Sequence, residues 1–185
     1  MARAAYASLL LASLTALFAS CLAEQAVPAV HIDPTDVPFF KFSPGILFRV
    51  FYAEPNTGLW CFQLKASPGS SLGQHRNTGT VVGHTLQGKW HYRETDWTAS
   101  PGHFVHEMPG AVHSIEVPAD QEGDTVVQFS VWGSLEFKTA RGQDIGSLDF
   151  SSAAALQEAA CKKQDKLCPD LHRSHQGDDR REESR

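Results

Sequence analysis

The strongest constraint on this chain is a set of short segments in which apolar residues recur at every second position. Trp60, Phe62 and Leu64 alternate with Cys61, Gln63 and Lys65, and Val127, Phe129 and Val131 alternate with Gln128 and Ser130. A period of two puts one set on each face of a β-strand, so each such segment has one face to bury. Further strand-like runs are Ile46–Tyr52, Thr80–Leu86, Trp90–Arg93, Phe104–Glu107 and Val112–Val117. Turn signals separate them: Pro55-Asn56-Thr57-Gly58, Ser67-Pro68-Gly69, Gln87-Gly88, Ser100-Pro101-Gly102, Pro109-Gly110 and Glu122-Gly123-Asp124. Glycine and proline punctuate the chain because they supply the backbone angles that tight turns need. Many short strands at this spacing predict an all-β sandwich or barrel. Ala153–Lys166, rich in alanine, leucine, glutamine and lysine, predicts one helix after it.

The two ends read differently. Residues 1–23 have one early arginine, an apolar run from Ser8 to Ala19 and small residues before Glu24, the layout of a secretory signal peptide. That run falls short of the roughly 20 residues a membrane span needs. A secreted or extracytoplasmic protein is therefore expected, with 24–36 as an N-terminal arm. A lipoprotein signal acylated at Cys21 is the other reading. From Pro169 to Arg185 more than half the residues are charged, so this tail, with His172 and His175, is expected to be disordered. The formal charge of -5 argues against nucleic-acid binding, which calls for a basic face.

Cys161 and Cys168 lie too far apart to bridge along a continuous helix, about 10 Å against a limit of about 7 Å. A disulfide between them requires the helix to end in that interval. Cys61, alternating with Trp60 and Phe62, reads as a buried or half-buried free thiol.

Nine histidines is a high count for 185 residues, and most fall between positions 75 and 113. His75 and Asn77 share a strand face, and His113 follows the Pro109-Gly110 turn. Such a pair meeting a distant histidine inside a barrel holds a divalent metal while leaving positions open for substrate. His84 and His106 lie on neighbouring strands; each is either a further ligand or a buried, hydrogen-bonded histidine. His91 and His103 are expected to face outward. Glu107, beside His106, is a candidate catalytic carboxylate, acting as a fourth ligand or as an acceptor that orients a histidine. Trp60, Phe62 and Trp90, with His106, are candidates to line a substrate pocket, although aromatics at alternating positions also build plain cores.

These residues carry a resemblance. Gly69, His75-x-Asn77 and Gly88 follow the first motif of the cupins, and Gly102, Met108, Gly110 and His113 follow the second. Within the cupins, His75-Arg76-Asn77-Thr78-Gly79-Thr80, Thr85-Leu86-Gln87-Gly88-Lys89-Trp90-His91-Tyr92 and Pro109-Gly110-Ala111-Val112-His113 look like the ChrR-like branch that includes 2,4'-dihydroxyacetophenone dioxygenase. The resemblance covers about Val37 to Cys168. It implies a double-stranded β-helix, a jelly-roll barrel, with a closing helix, holding non-haem iron through three histidines. His75 and His113 match two ligand positions; the second histidine of the family falls on Asn77, and the usual cupin glutamate falls on Val81 or Val82. An amide is a poorer ligand for iron than an imidazole. On this resemblance the chain is a metal-dependent oxidoreductase. It would use Fe(II), or else manganese, zinc or copper, with O2, to cleave a C–C bond in a small hydroxyketone, aromatic or aliphatic, or a related carbonyl compound. The competing reading is a non-catalytic secreted cupin with a degenerate metal site. Cupins also pair through barrel faces, which makes a homodimer an expectation.

Overall fold

A computed structural model describes residues 30–139, 141–168 and 171. The expected signal peptide and the charged tail, Leu171 apart, lie outside the described residues. The fold below is that of the compact unit beginning at Ile32.

Eleven strands form two antiparallel sheets. The first has the order β1 (Phe40–Ser43), β2 (Ile46–Glu54), β3 (Leu59–Ala66), β9 (Thr125–Trp132), β5 (Val81–Gln87) and β7 (Phe104–Glu107). The second has the order β11 (Asp144–Leu148), β10 (Leu135–Lys138), β4 (Ser71–Asn77), β8 (Val112–Glu116) and β6 (His91–Tyr92). Consecutive strands repeatedly change sheet, from β3 to β4 to β5 and from β7 to β8 to β9, which is the winding of a jelly roll. The alternating residues meet inside: Phe48, Val50, Trp60, Phe62, Leu64, Val127, Phe129 and Val131 are all buried in one core. The fold is the all-β cupin barrel with a C-terminal helix that the sequence predicts.

Three departures have local causes. Trp90–Arg93 shrinks to a two-residue strand, because Trp90 pairs with Ala99 in an isolated bridge rather than with β8. β10 and β11 escape sequence reading, since Gly133, Gly142 and Gly146 all take positive φ and interrupt the alternation around them. The helix, α1, runs Phe150–Lys163, starting three residues earlier than expected. Asp149 caps it: its carboxylate accepts from the Ser152 amide, and the Ser152 hydroxyl accepts from the Asp149 amide.

The helix stops before Gln164, and Asp165 turns the chain with φ 51°. Cys161 and Cys168 then come within 5.5 Å (Cα–Cα) and form a disulfide. Beyond it, Leu171 is only 2% exposed and its carbonyl accepts from the Ala53 amide. That corrects the boundary at Cys168, since this one aliphatic residue in the charged stretch is a core residue. Gln157 ties α1 to the barrel: its Oε1 accepts from the Val50 amide at 2.8 Å and its Nε2 donates to the Pro38 carbonyl at 3.0 Å. Cys61 is a half-buried free thiol beside the Ser130 hydroxyl, and burial pushes its pKa up. No helix among the described residues is long and apolar enough to cross a membrane.

Candidate functional site

On β4 the buried positions near the strand end are His75 and Asn77. Antiparallel pairing sets His75 directly opposite His113 on β8, and the two imidazoles meet edge to face with centroids 4.8 Å apart. His75 Nδ1 lies 3.0 Å from the Gly73 carbonyl. A carbonyl only accepts, so the proton is on Nδ1 and the Nε2 lone pair is free. Burial pulls the His75 pKa below its usual value, which keeps the ring neutral. Tying Nδ1–H to a carbonyl is how proteins orient metal-binding histidines.

Glu107 ends β7 and joins this pair from the other sheet. It stands opposite Val81 in the β5–β7 ladder. Val81, one of the two positions where the resemblance places the usual cupin glutamate, thus has the Glu107 carboxylate beside it on the adjacent strand. The Tyr92 hydroxyl donates to Glu107 Oε1, and Asn77 Nδ2 donates to Oε2 at 2.5 Å. His113 Nε2 is 3.1 Å from the same Oε2, and the Tyr92 ring stacks on the His113 imidazole at 4.0 Å. Burial would raise the Glu107 pKa, but the nearby His113 imidazole and the Tyr92 and Asn77 donors outweigh it and hold the carboxyl below its usual range. The carboxylate is ionised while buried.

Two polar atoms in this cluster are buried without a hydrogen-bond partner: Asn77 Oδ1 and His113 Nε2. The His113 nitrogen is close to Glu107 yet not aligned to share a proton with it. Beside the cluster is a cavity of about 10 Å³, walled by Phe62, Val81, Phe129 and Val131 with His75 and Glu107 as its polar members. Such a volume holds about one water molecule. Among the described residues no three His, Cys, Asp or Glu side chains are grouped so as to hold a metal ion on their own. Any such site therefore needs the Asn77 amide or a rearrangement of these side chains.

Other sequence candidates lie elsewhere. β5 turns Val81, Gly83 and Thr85 inward, so His84 is exposed on the outer face. On β7 the same alternation buries Glu107 and exposes His106. Neither histidine faces the cluster, and neither supplies a third imidazole there. Trp60 and Trp90 are fully buried, their indole N–H groups donating to the Gly133 carbonyl and the Thr85 hydroxyl. They fill core rather than line a pocket; Phe62 does both. His91 is half-buried 3.5 Å from Glu116, and His103 is exposed near the Ser100 hydroxyl. Sequence reasoning passed over Tyr92. It shares a strand face with Trp90, and nothing in its local pattern announces a contact with Glu107, fifteen residues on.

This double-sheet barrel with an inward-facing histidine pair defines a cupin. The chain belongs to the ChrR cupin-like domain family, whose model matches residues 27–136. It resembles an RmlC-like cupin protein from Ralstonia eutropha JMP134, with 25% identity over 82% of this chain and 98% of the other and a TM-score of 0.74. A cupin-like protein of unknown function from the same organism matches with 28% identity, TM-score 0.72, over 80% of this chain and 93% of the other. An acetylacetone dioxygenase from Acinetobacter johnsonii shares the fold at 22% identity and TM-score 0.63, over 74% of this chain and 94% of the other. No curated protein matches the sequence.

Proposed function

We propose that this chain is a metal-dependent cupin of the dioxygenase type. Its reaction would cleave a C–C bond in a small enolisable carbonyl compound, a hydroxyketone or dicarbonyl, using O2. The observation that carries this reading is the pair of orphaned buried atoms, Asn77 Oδ1 and His113 Nε2, beside an ionised buried carboxylate. Each orphan forfeits about 1–3 kcal/mol relative to a satisfied group, and a bound cation would answer both. Two imidazoles, a carboxylate and an amide suit a divalent first-row metal. Ferrous iron is the ion whose open-sided sites are built on two histidines and one carboxylate, with manganese, zinc and copper as alternatives.

His75 and His113 would hold the ion, joined by the Asn77–Glu107 pair. When bound there, the metal would supply Lewis acidity toward a carbonyl and a position for O2. The remaining work belongs to the chain. Gly73 fixes the His75 ring so that Nε2 is presented, and Tyr92 braces both His113 and Glu107. Glu107 would contribute a negative charge that offsets the cation, and Phe62 and Phe129 line the cavity beside it. The dicarbonyl acted on by the Acinetobacter neighbour is the first compound to test, and the cavity of about 10 Å³ would have to open to admit it. An extracytoplasmic location is part of the proposal; the Cys161–Cys168 disulfide supports an oxidising compartment.

The small cavity and the absent third imidazole favour a second reading, a non-catalytic barrel. Metal analysis by elemental mass spectrometry separates the two, on the full chain purified without chelators and then loaded anaerobically with iron. Near-stoichiometric metal that disappears in a His75→Ala/His113→Ala variant, with O2 consumption on adding acetylacetone, is the expected result. No bound metal after loading would remove the enzyme reading and leave the binding module.

A further inference from the structure

Building on the reaction proposed for this cluster, we infer that segment 90–99 is a flap over the cavity, with Glu94 as its latch and Trp97 as the residue that sets what passes. Side chains are layered here from solvent inward. Trp97 is 36% exposed and stands edge to face on Tyr92, ring centroids 5.1 Å apart, while Tyr92 is only 4% exposed. Behind Tyr92 lie the two groups it touches, the Glu107 carboxylate and the His113 ring. Tyr92 also pairs with Ile115, and Ile115, Glu107 and His75 all wall the cavity of about 10 Å³. Lifting Tyr92 and Trp97 would therefore open the cavity to solvent.

The segment is lightly held. β6 is the edge of its sheet and pairs with β8 through His91 and Tyr92 alone. The Arg93 N–H adds one bond to the Ser114 carbonyl at 3.0 Å. In a continued antiparallel ladder the Ser114 N–H would return to the Arg93 carbonyl. It goes instead to the Glu94 carboxylate at 2.9 Å, and the Ser114 hydroxyl donates to the other oxygen of that carboxylate at 3.1 Å. A side chain in place of a backbone acceptor can let go by turning about its own bonds, which makes Glu94 a latch. The Arg93–Glu116 pair beside it is exposed at the arginine and holds little. Trp90 and Ala99 exchange both backbone bonds, at 3.1 and 2.8 Å, and close the base of the segment as a hinge.

The opposite wall of the cluster is fastened by backbone. The Asn77 N–H donates to the Ala111 carbonyl at 3.0 Å and the Gly110 N–H to the Asn77 carbonyl at 2.7 Å, so the turn after β7 is pinned to β4. Residues 93–98, by contrast, are all exposed, and moving them uncovers little apolar surface besides Trp97. Trp90 stays in place: it is fully buried, with its indole N–H on the Thr85 hydroxyl. Trp97, edge to face on Trp90 at 5.6 Å, thus swings off a fixed ring. Its bulk stands at the mouth, where it discriminates between small and large carbonyl compounds.

The test times entry into the metal-free full chain with diethyl pyrocarbonate, a small electrophile that acylates a free imidazole nitrogen. The reporter is His75, which walls the cavity and is 2% exposed; peptide mass spectrometry reads it, with exposed His84 and His103 as internal references. Glu94→Ala should speed labelling of His75 about 10-fold, the worth of a hydrogen bond to a charged group, with the reference rates unmoved. Trp97→Ala should speed it too, and either variant carries the test if circular dichroism shows the other unfolded. Gln157→Leu, which weakens the barrel at α1, and Pro109→Gly, which loosens the opposite turn, should label His75 at the parent rate. Parent-like labelling in the flap variants would overturn the inference, and so would equal acceleration by Gln157→Leu or Pro109→Gly. In the iron-loaded chain, Trp97→Ala should raise kcat/KM for benzoylacetone relative to acetylacetone, and an unchanged ratio would overturn the selecting role of Trp97. Flap-dependent labelling of His75 without O2 uptake by any chain would remove the proposed reaction and uphold the flap.

Discussion

Gln157→Leu tests how α1 is fastened to the barrel. Gln157 is wholly buried, and its amide answers two backbone groups that have no solvent to turn to: the Val50 N–H at 2.8 Å and the Pro38 carbonyl at 3.0 Å. Leucine keeps most of the volume and removes both partners. Leaving two buried groups unpaired costs about 2–6 kcal/mol in total, at about 1–3 kcal/mol each. The added apolar burial returns about 1 kcal/mol, close to the value of one methylene. The net expectation is a destabilisation of about 3 kcal/mol, which in a domain of this size lowers Tm by about 6–12 °C. Urea unfolding followed by far-UV circular dichroism measures the change, and an unaltered m-value shows that the midpoint shift reports stability. Gln157→Ala should be worse, since it adds a cavity to the same two orphans. A loss below about 1 kcal/mol for the leucine variant would mean that Val50 N–H and Pro38 C=O find other partners, and the reasoning fails.

The remaining predictions concern the disulfide, the histidines and pH. Cys161→Ser opens a loop with a sequence separation of 7 and should cost about 2.4 kcal/mol by loop-closure entropy, seen as a lower Tm with the reduced mass confirmed by mass spectrometry. His84→Ala and His106→Ala, both on the exposed outer face, should leave metal content unchanged and shift stability by no more than about 0.5 kcal/mol. In the metal-free protein, stability should fall with acid. Burial lowers the His75 pKa from 6.5, so below that value the unfolded chain binds a proton that the folded chain refuses. The contribution is complete above about pH 6.5 and is lost as pH falls toward the folded value; urea midpoints at pH 7.5 and 5.5 would reveal it, and His75→Gln should flatten the difference.

Much of the barrel is legible because burial on one face of a strand imposes a period of two. Trp60–Leu64 and Val127–Val131 show that period openly, and the structure pairs β3 with β9 along their whole length. β10 and β11 escape for the complementary reason: three glycines with positive φ around and within them break the alternation. Of the site, the motif positions His75, Asn77 and His113 and the candidate carboxylate Glu107 were readable, and the structure brings those four together in one buried cluster. His84 and His106 illustrate the limit. Strand parity decides which face they take, and one residue of uncertainty in the register turns an inward side chain outward.

The sequence by itself determined the class of fold and supplied the histidines, the carboxylate and the amide that are candidates for a metal site. Hydrophobic period, turn residues and side-chain chemistry are local properties that need no coordinates. Three matters belong to the tertiary structure alone. The β5–β7 ladder sets Glu107 opposite Val81, the helix ends where Cys161 can reach Cys168, and Tyr92 touches both Glu107 and His113. Each depends on residues far apart in the chain meeting across strands or turns. Such meetings are fixed by register and packing, which leave no mark on the sequence around any one of the partners.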